Sequence, residues 1–159
     1  MPHLPRFIAE NYVYHTISAT RKRLPTLAEP GNAEDVIEAL RFVQAEGRAY
    51  VLAYAVLPDH MHLLIAPRDG NPLPDLMKAV KNFSARRINK RAGLLGPVWQ
   101  QSYFDRVIRT ETQLFATIDY IHRNPVEAGL SATSNAYLFS SAHPESHVDI
   151  DAFFAEQSS

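Results

Sequence analysis

The chain has 159 residues, 46% hydrophobic and 21% charged, enough to bury one sizeable core and too few for two comfortable domains. A formal net charge of −1 points by itself to neither a nucleic-acid nor a membrane partner, so the distribution of charge matters more than the sum. The absence of cysteine excludes disulfides, thiolate metal sites and a cysteine nucleophile, and fits a reducing compartment.

Residues 12–20, YVYHTISAT, have the β-branched and aromatic content of a strand, and the turn-rich stretch RLPTLAEPGN follows. Over residues 33–46, Val36, Ile37, Leu40 and Val43 share one helical face, with Gly47 as the stop. Two apolar segments, 49–57 and 60–66, are separated only by Pro58 and Asp59 and read as two strands and a tight turn, or as one broken strand. Residues 75–91 place Leu76, Met77, Val80, Phe83 and Ile88 on a helical stripe ended by Gly93, Gly96 and Pro97. VWQQSYFDRVIR, 98–109, has strand character. A further helix spans 111–123, with Leu114, Phe115, Ile118 and Ile121 on its apolar side. The order β-α-β-β-α-β-α closes most simply as a ferredoxin-like α+β fold, a central antiparallel sheet with helices on its faces. The chain is read as one domain, 1–159, with a weakly patterned tail from about residue 132. The amino-terminal stretch lacks the apolar core of a signal peptide, and no apolar run is long enough to span a membrane, so a cytoplasmic protein without a membrane partner is expected.

LPDHMHLLIAP, residues 57–67, carries two histidines in an apolar run. On a strand, His60 and His62 share a face with Leu64 and Ala66, while Met61, Leu63 and Ile65 point the other way. An i, i+2 pair aims two imidazoles at one point, as a metal site requires, although histidines hydrogen-bonded in the core would show the same spacing. Two ligands also leave a metal site incomplete.

A third group is available in DYIHRNPVEAGL. Tyr120 stands off the apolar stripe of its helix, and Asn124 lies one turn beyond it on the same face, so a phenol and an amide oxygen would emerge side by side. Tyr120 also reads as a boundary residue with a wet hydroxyl. Asn124 also reads as the N-cap of a new helix, with Pro125 at its first position and Glu127 closing a capping box.

Charge is concentrated between Leu76 and Arg109, where Lys78, Lys81, Arg86, Arg87, Lys90, Arg91, Arg106 and Arg109 face the single acid Asp105. A basic helix and the strand after it would offer a phosphate-binding track, or merely a solvated face. Asn82, Asn89, Trp99, Gln100, Gln101 and Tyr103 are interleaved with these charges, where they could contact base edges or stack on unpaired bases.

LPDHMHLLI, VWQQSYFDRVIR and YIHRNPVEAGL, in that order and at these separations, resemble the REP-associated tyrosine transposases, relatives of the single-tyrosine, IS200-like insertion-sequence transposases of the His-hydrophobic-His (HUH) type. The resemblance runs from about Tyr14 to Leu130. It implies an HUH endonuclease fold, with His60 and His62 binding a divalent ion, Mg²⁺ or Mn²⁺, Asn124 completing the site, and Tyr120 as nucleophile. Lys78, Lys81, Arg86, Arg87, Lys90, Trp99, Arg106 and Arg109 would contact DNA. The implied activity is cleavage and rejoining of single-stranded DNA folded into palindromic hairpins, through a 5′-phosphotyrosine, by a monomer or a homodimer. A domesticated hairpin-binding protein that no longer cuts, and a metal-dependent phosphoesterase that uses activated water, are the alternatives.

Overall fold

The computed structural model describes residues 13–157; Tyr12 and the segment before it lie outside that range. Strands β1 (Val13–Ala19), β2 (Ala49–Leu57), β3 (His60–Pro67) and β4 (Phe104–Ile108) alternate with helices α1 (Pro30–Ala45), α2 (Leu73–Ala92), α3 (Glu111–Glu127) and α4 (Ile150–Gln157). The sheet is antiparallel throughout, in the order β2-β3-β1-β4. That is the expected ferredoxin-like split β-α-β arrangement, β3 having returned through a tight hairpin to lie between β2 and β1.

Side-chain alternation divides the core in two. Met61, Leu63 and Ile65 join α1 and α2 on one face of the sheet. Leu64 and Ala66 join Val13, Ile108, Leu114, Ile121 and Phe153 on the other, against α3 and α4. Every residue of β2 is buried, as a strand covered on both faces should be.

Three expectations are corrected. Only Phe104–Ile108 of the segment 98–109 is regular strand; Trp99 makes an isolated bridge to Thr20. Helix α3 begins as a capped helix should, with Thr110 Oγ1 accepting from the Gln113 N–H at 3.0 Å, but it does not stop at Asn124. It continues through Pro125, whose buried ring packs one turn beyond fully buried Ile121, so tertiary packing overrides the local preference for a break. Phe115 is 49% exposed rather than in the core, and its ring stacks on Phe154 of α4.

The weakly patterned tail is ordered because it covers the free edge of β2. Val56 N–H donates to Phe139 O (2.8 Å), Ser141 N–H to Tyr54 O (2.9 Å), and Asp149 N–H to Val51 O (2.8 Å). Asp149 Oδ2 and Ser141 Oγ accept from the N–H groups of Val51 and Tyr54. An uncovered edge would leave these backbone groups unpaired or open to another chain's strand. No helix among the described residues is long and apolar enough to cross a membrane.

Candidate active site

The β2–β3 hairpin sets the first two histidines. Leu57 pairs with His60 across the two-residue turn of Pro58 and Asp59, and the turn is anchored by Leu27 N–H donating to Pro58 O (2.8 Å) and Thr20 N–H to Asp59 O (2.9 Å). His60 and His62 lie on the α3 side with ring centroids 5.1 Å apart. His60 Nδ1 is 2.8 Å from Asp59 Oδ1, an aspartate that also meets Arg23. The hydrogen bond from His60, followed by the charge of Arg23, holds the Asp59 carboxyl below its ordinary value.

A third histidine, not singled out in the sequence, lies behind His62. His15 of β1 is 5% exposed, and its Nε2 is 3.0 Å from His62 Nδ1. Ile17 pairs with His62 and His15 with Leu64, so the two imidazoles are diagonal neighbours on one face. Both metal-candidate histidines thus use Nδ1 on a protein partner, and neither Nε2 has a hydrogen-bond partner among the described residues. A protein partner at one ring nitrogen is how ligand histidines are oriented and their tautomer set. For His62 to keep a lone pair on Nε2, its proton must sit on Nδ1 and be donated to His15.

Helix α3 crosses this face and brings Tyr120 to the pair. Its ring centroid lies 5.6 Å from that of His62 and 6.1 Å from that of His15, both edge-on, while the residue remains 42% exposed. Because α3 is continuous, Asn124 stands one turn beyond Tyr120 on the same face, half-buried, with no hydrogen bond from its side-chain amide among the described residues. Arg106, which faces His15 across the β1–β4 pair, donates from Nη2 to Thr117 Oγ1 on α3 at 3.2 Å. One guanidinium is therefore tied to α3 beside His15. No group of three or more His, Cys, Asp or Glu residues among the described residues is placed to hold a metal, so a site at His60 and His62 would need a donor of another kind.

Residues 8–124 match the family described as Transposase IS200 like, nearly three-quarters of the chain. The chain belongs to that transposase family. It is 33% identical over 97 residues to the ISDra2 transposase TnpA of Deinococcus radiodurans, which covers 57% of this chain and 68% of that one. It is 26% identical over 109 residues to a Haemophilus influenzae protein named as a REP-associated tyrosine transposase, 62% of each chain. Among solved structures, a REP-associated tyrosine transposase bound to a REP hairpin superposes with a TM-score of 0.70 at 22% identity, over 90% of this chain and 84% of that chain.

In this IS200-like transposase the basic segment is divided rather than continuous. Lys78 and Lys81 line a groove beside the 97–103 loop, while Arg86 and Lys90 are exposed on α2 and Arg109 is exposed just beyond β4. Arg87 turns to the opposite side and pairs with Asp35 of α1 at 3.0 Å, an aspartate that Arg91 also clasps. Burial works against the ionised form of Asp35, but the hydrogen bonds from Arg91 and Arg87 outweigh it and hold the carboxyl below its ordinary value. Arg87 is therefore committed to joining α1 and α2. Trp99 is corrected outright: it is 6% exposed, and its Nε1 donates to Ser84 Oγ at 3.0 Å, so it is a core residue with a satisfied N–H rather than a platform for a base.

Burial pulls the His62 imidazolium pKa down from 6.5 to about 3, helped by the adjacent charges of His15 and His60. Burial, then the charge of Arg106, brings His15 to about 4. Both rings are neutral at pH 7. Because the unfolded chain takes up these protons first, stability is full above the ordinary value and falls as pH drops from 6.5 towards 4. The slope is about 1.4 kcal/mol per pH unit for each histidine. Urea midpoints of the metal-free protein between pH 7.5 and 4.5 should show this loss, and His15→Phe should reduce its slope; an unchanged slope would contradict the assignment.

Proposed function

We propose that this transposase-family chain is a metal-dependent single-stranded DNA endonuclease and strand transferase that cuts and rejoins hairpin-forming palindromic DNA through Tyr120. The observation that carries the proposal is the meeting on one sheet face of His60 and His62, each with an Nε2 that has no partner among the described residues, and a half-exposed tyrosine whose ring centroid is 5.6 Å from that of His62. His60, His62 and Asn124 would hold the ion. Their two neutral imidazoles and one amide oxygen suit a divalent cation, with Mn²⁺ favoured over Mg²⁺ because imidazole is soft for the latter. When bound, such an ion offsets the negative charge of a phosphodiester and orients it for displacement.

The remaining chemistry belongs to the chain itself. Attack by the Tyr120 oxygen forms a P–O bond and breaks the bond from phosphorus to the 3′ oxygen; the phenol loses its proton and the departing oxygen gains one. The products are a 5′-phosphotyrosine and a free 3′-hydroxyl. One phosphodiester linkage replaces another, so the 3′-hydroxyl can attack in reverse and rejoin the strand. Arg106, tethered to α3, supplies a fixed positive charge for the phosphate. The hairpin substrate is supported by the fold neighbour, which was solved bound to a REP hairpin. Tyr120 lies beside the histidines of its own chain, so one chain carries every group in the scheme.

The test is incubation with Mn²⁺ and a single-stranded hairpin. The expected result is a protein–DNA adduct that survives denaturation. Hairpin binding without an adduct would identify a binder that does not cut, and turnover to free ends without an adduct would identify a water-using phosphoesterase.

A further inference from the structure

We propose that His122 is a positioning residue for the nucleophile: by fastening α3 to the β2 edge of the sheet, it sets the place of Tyr120 beside His62. The inference rests on the reading of Tyr120 as the nucleophile, and it concerns a residue that takes no part in the chemistry itself.

The packing beneath α3 leaves this task open. The underside of the helix carries Leu114, Ile121 and Pro125, all buried, and Leu114 and Ile121 share a core with Leu64 and Ala66 of β3. Apolar burial is non-directional, so a small rotation or slide of the helix costs those side chains little. It costs a nucleophile far more, since a displacement of about 1 Å is worth about a hundredfold in rate. Directional bonds are what resist such a movement. Beyond its first turn, α3 has two side chains that hydrogen-bond to groups outside the helix among the described residues, Thr117 and His122. At about 100° per residue they stand on opposite flanks of the buried stripe, with Tyr120 and Asn124 on the Thr117 side.

Each flank is tied to a different edge of the sheet. His122 Nε2 is 2.7 Å from Ser141 Oγ. That serine is itself fixed to β2: its hydroxyl accepts from the Tyr54 N–H (2.9 Å) and its own N–H donates to Tyr54 O (2.9 Å). Ser146 Oγ donates to the Ser141 carbonyl at 2.8 Å, which closes the turn behind it. The hydroxyl that His122 meets is therefore anchored to the sheet, so the helix takes its place from it. On the other flank Arg106 of β4 donates to Thr117 Oγ1 at 3.2 Å. Strands β2 and β4 are the two edges of the sheet. Pinned at both, α3 holds the Tyr120 ring against His15 of β1 and His62 of β3, between the pins.

The experiment follows single-turnover adduct formation by the full chain with Mn²⁺ and a saturating single-stranded hairpin, alongside metal-free hairpin affinity. The same variants are labelled with fluorotyrosine, and the Tyr120 fluorine resonance is the one missing from Tyr120→Phe. His122→Ala should slow the adduct by about tenfold to a hundredfold, while hairpin affinity changes by less than about twofold. His122→Gln, whose amide nitrogen can take the place of Nε2, should return the rate to within about threefold of the wild type. Ser141→Ala should slow the adduct as His122→Ala does, and the two together should cost no more than either, because they break one bond. The Tyr120 resonance should shift or broaden in His122→Ala and return in His122→Gln. An adduct rate untouched by His122→Ala, a loss that His122→Gln does not rescue or that extends to hairpin affinity, or an unmoved Tyr120 resonance overturns the positioning role and leaves the cleavage reading standing. Absence of any adduct from the wild type overturns the cleavage reading instead, and the Tyr120 resonance then decides by itself whether His122 places the tyrosine.

Discussion

Tyr120→Phe should abolish the covalent DNA adduct, with loss of strand cleavage by at least about a thousandfold, because no water or neighbouring group replaces a missing covalent nucleophile efficiently. The substitution is unusually clean. It removes one oxygen and keeps the ring that meets His62 and His15 edge-on. The hydroxyl has no hydrogen-bond partner among the described residues and the residue is 42% exposed, so stability should change by no more than about 0.5 kcal/mol. Tyr103→Phe is the matched control. Its ring sits half-buried beside Lys81, on the other side of the sheet, and the variant should keep the adduct. An adduct retained by Tyr120→Phe and lost by Tyr103→Phe would reverse the assignment.

His60→Ala should lower Mn²⁺ affinity by more than about a hundredfold, since loss of a mere orienting partner already costs about 10- to 100-fold. Cleavage should disappear with it, while metal-free hairpin binding persists. Chelation of the wild type should reproduce this phenotype. His62→Ala should lose the metal equally and also unfold more easily, because it opens a cavity at a 2% exposed site and leaves buried His15 Nε2 without its partner. The expected cost is about 2–4 kcal/mol at His62, against a smaller one at His60, whose side chain is 17% exposed and bonded only to the turn. Metal affinity is measured on the protein alone by manganese paramagnetic resonance, and stability by urea denaturation. Two variants that lose stability but retain metal affinity would make the histidines structural.

Period-two alternation already placed His60 and His62 on one face with Leu64 and Ala66, and the two cores of the folded chain divide along that line. Helical spacing likewise placed Tyr120 and Asn124 together and off the apolar stripe. These are local regularities, written in the backbone geometry of a single element. His15 escaped notice for the complementary reason. Nothing within VYHTISA distinguishes a histidine that orients another from one that merely fits, until β1 and β3 pair in the register that makes His15 and His62 diagonal neighbours. Asp59 did carry a local sign, an acid directly before a histidine in a two-residue turn.

The errors have the same origin. Trp99 and Arg87 read as DNA contacts because they stand among basic and polar residues, yet Ser84 and Asp35, 15 and 52 positions away, claim them. Pro125 reads as a helix start, but it is buried within α3, which runs on to Glu127. The tail lacks periodicity because its order comes from hydrogen bonds to the edge of β2, a partner it meets only after folding. By itself, then, the sequence determined the element order, the faces on which the histidines and the tyrosine stand, and the motif trio that resembles the family. Tertiary structure alone decided that His62 is backed by His15, that Tyr120 reaches it, and which of the basic residues remain free. Periodicity tells a residue which way to face, whereas the identity of what it faces depends on strand register and helix placement between distant segments.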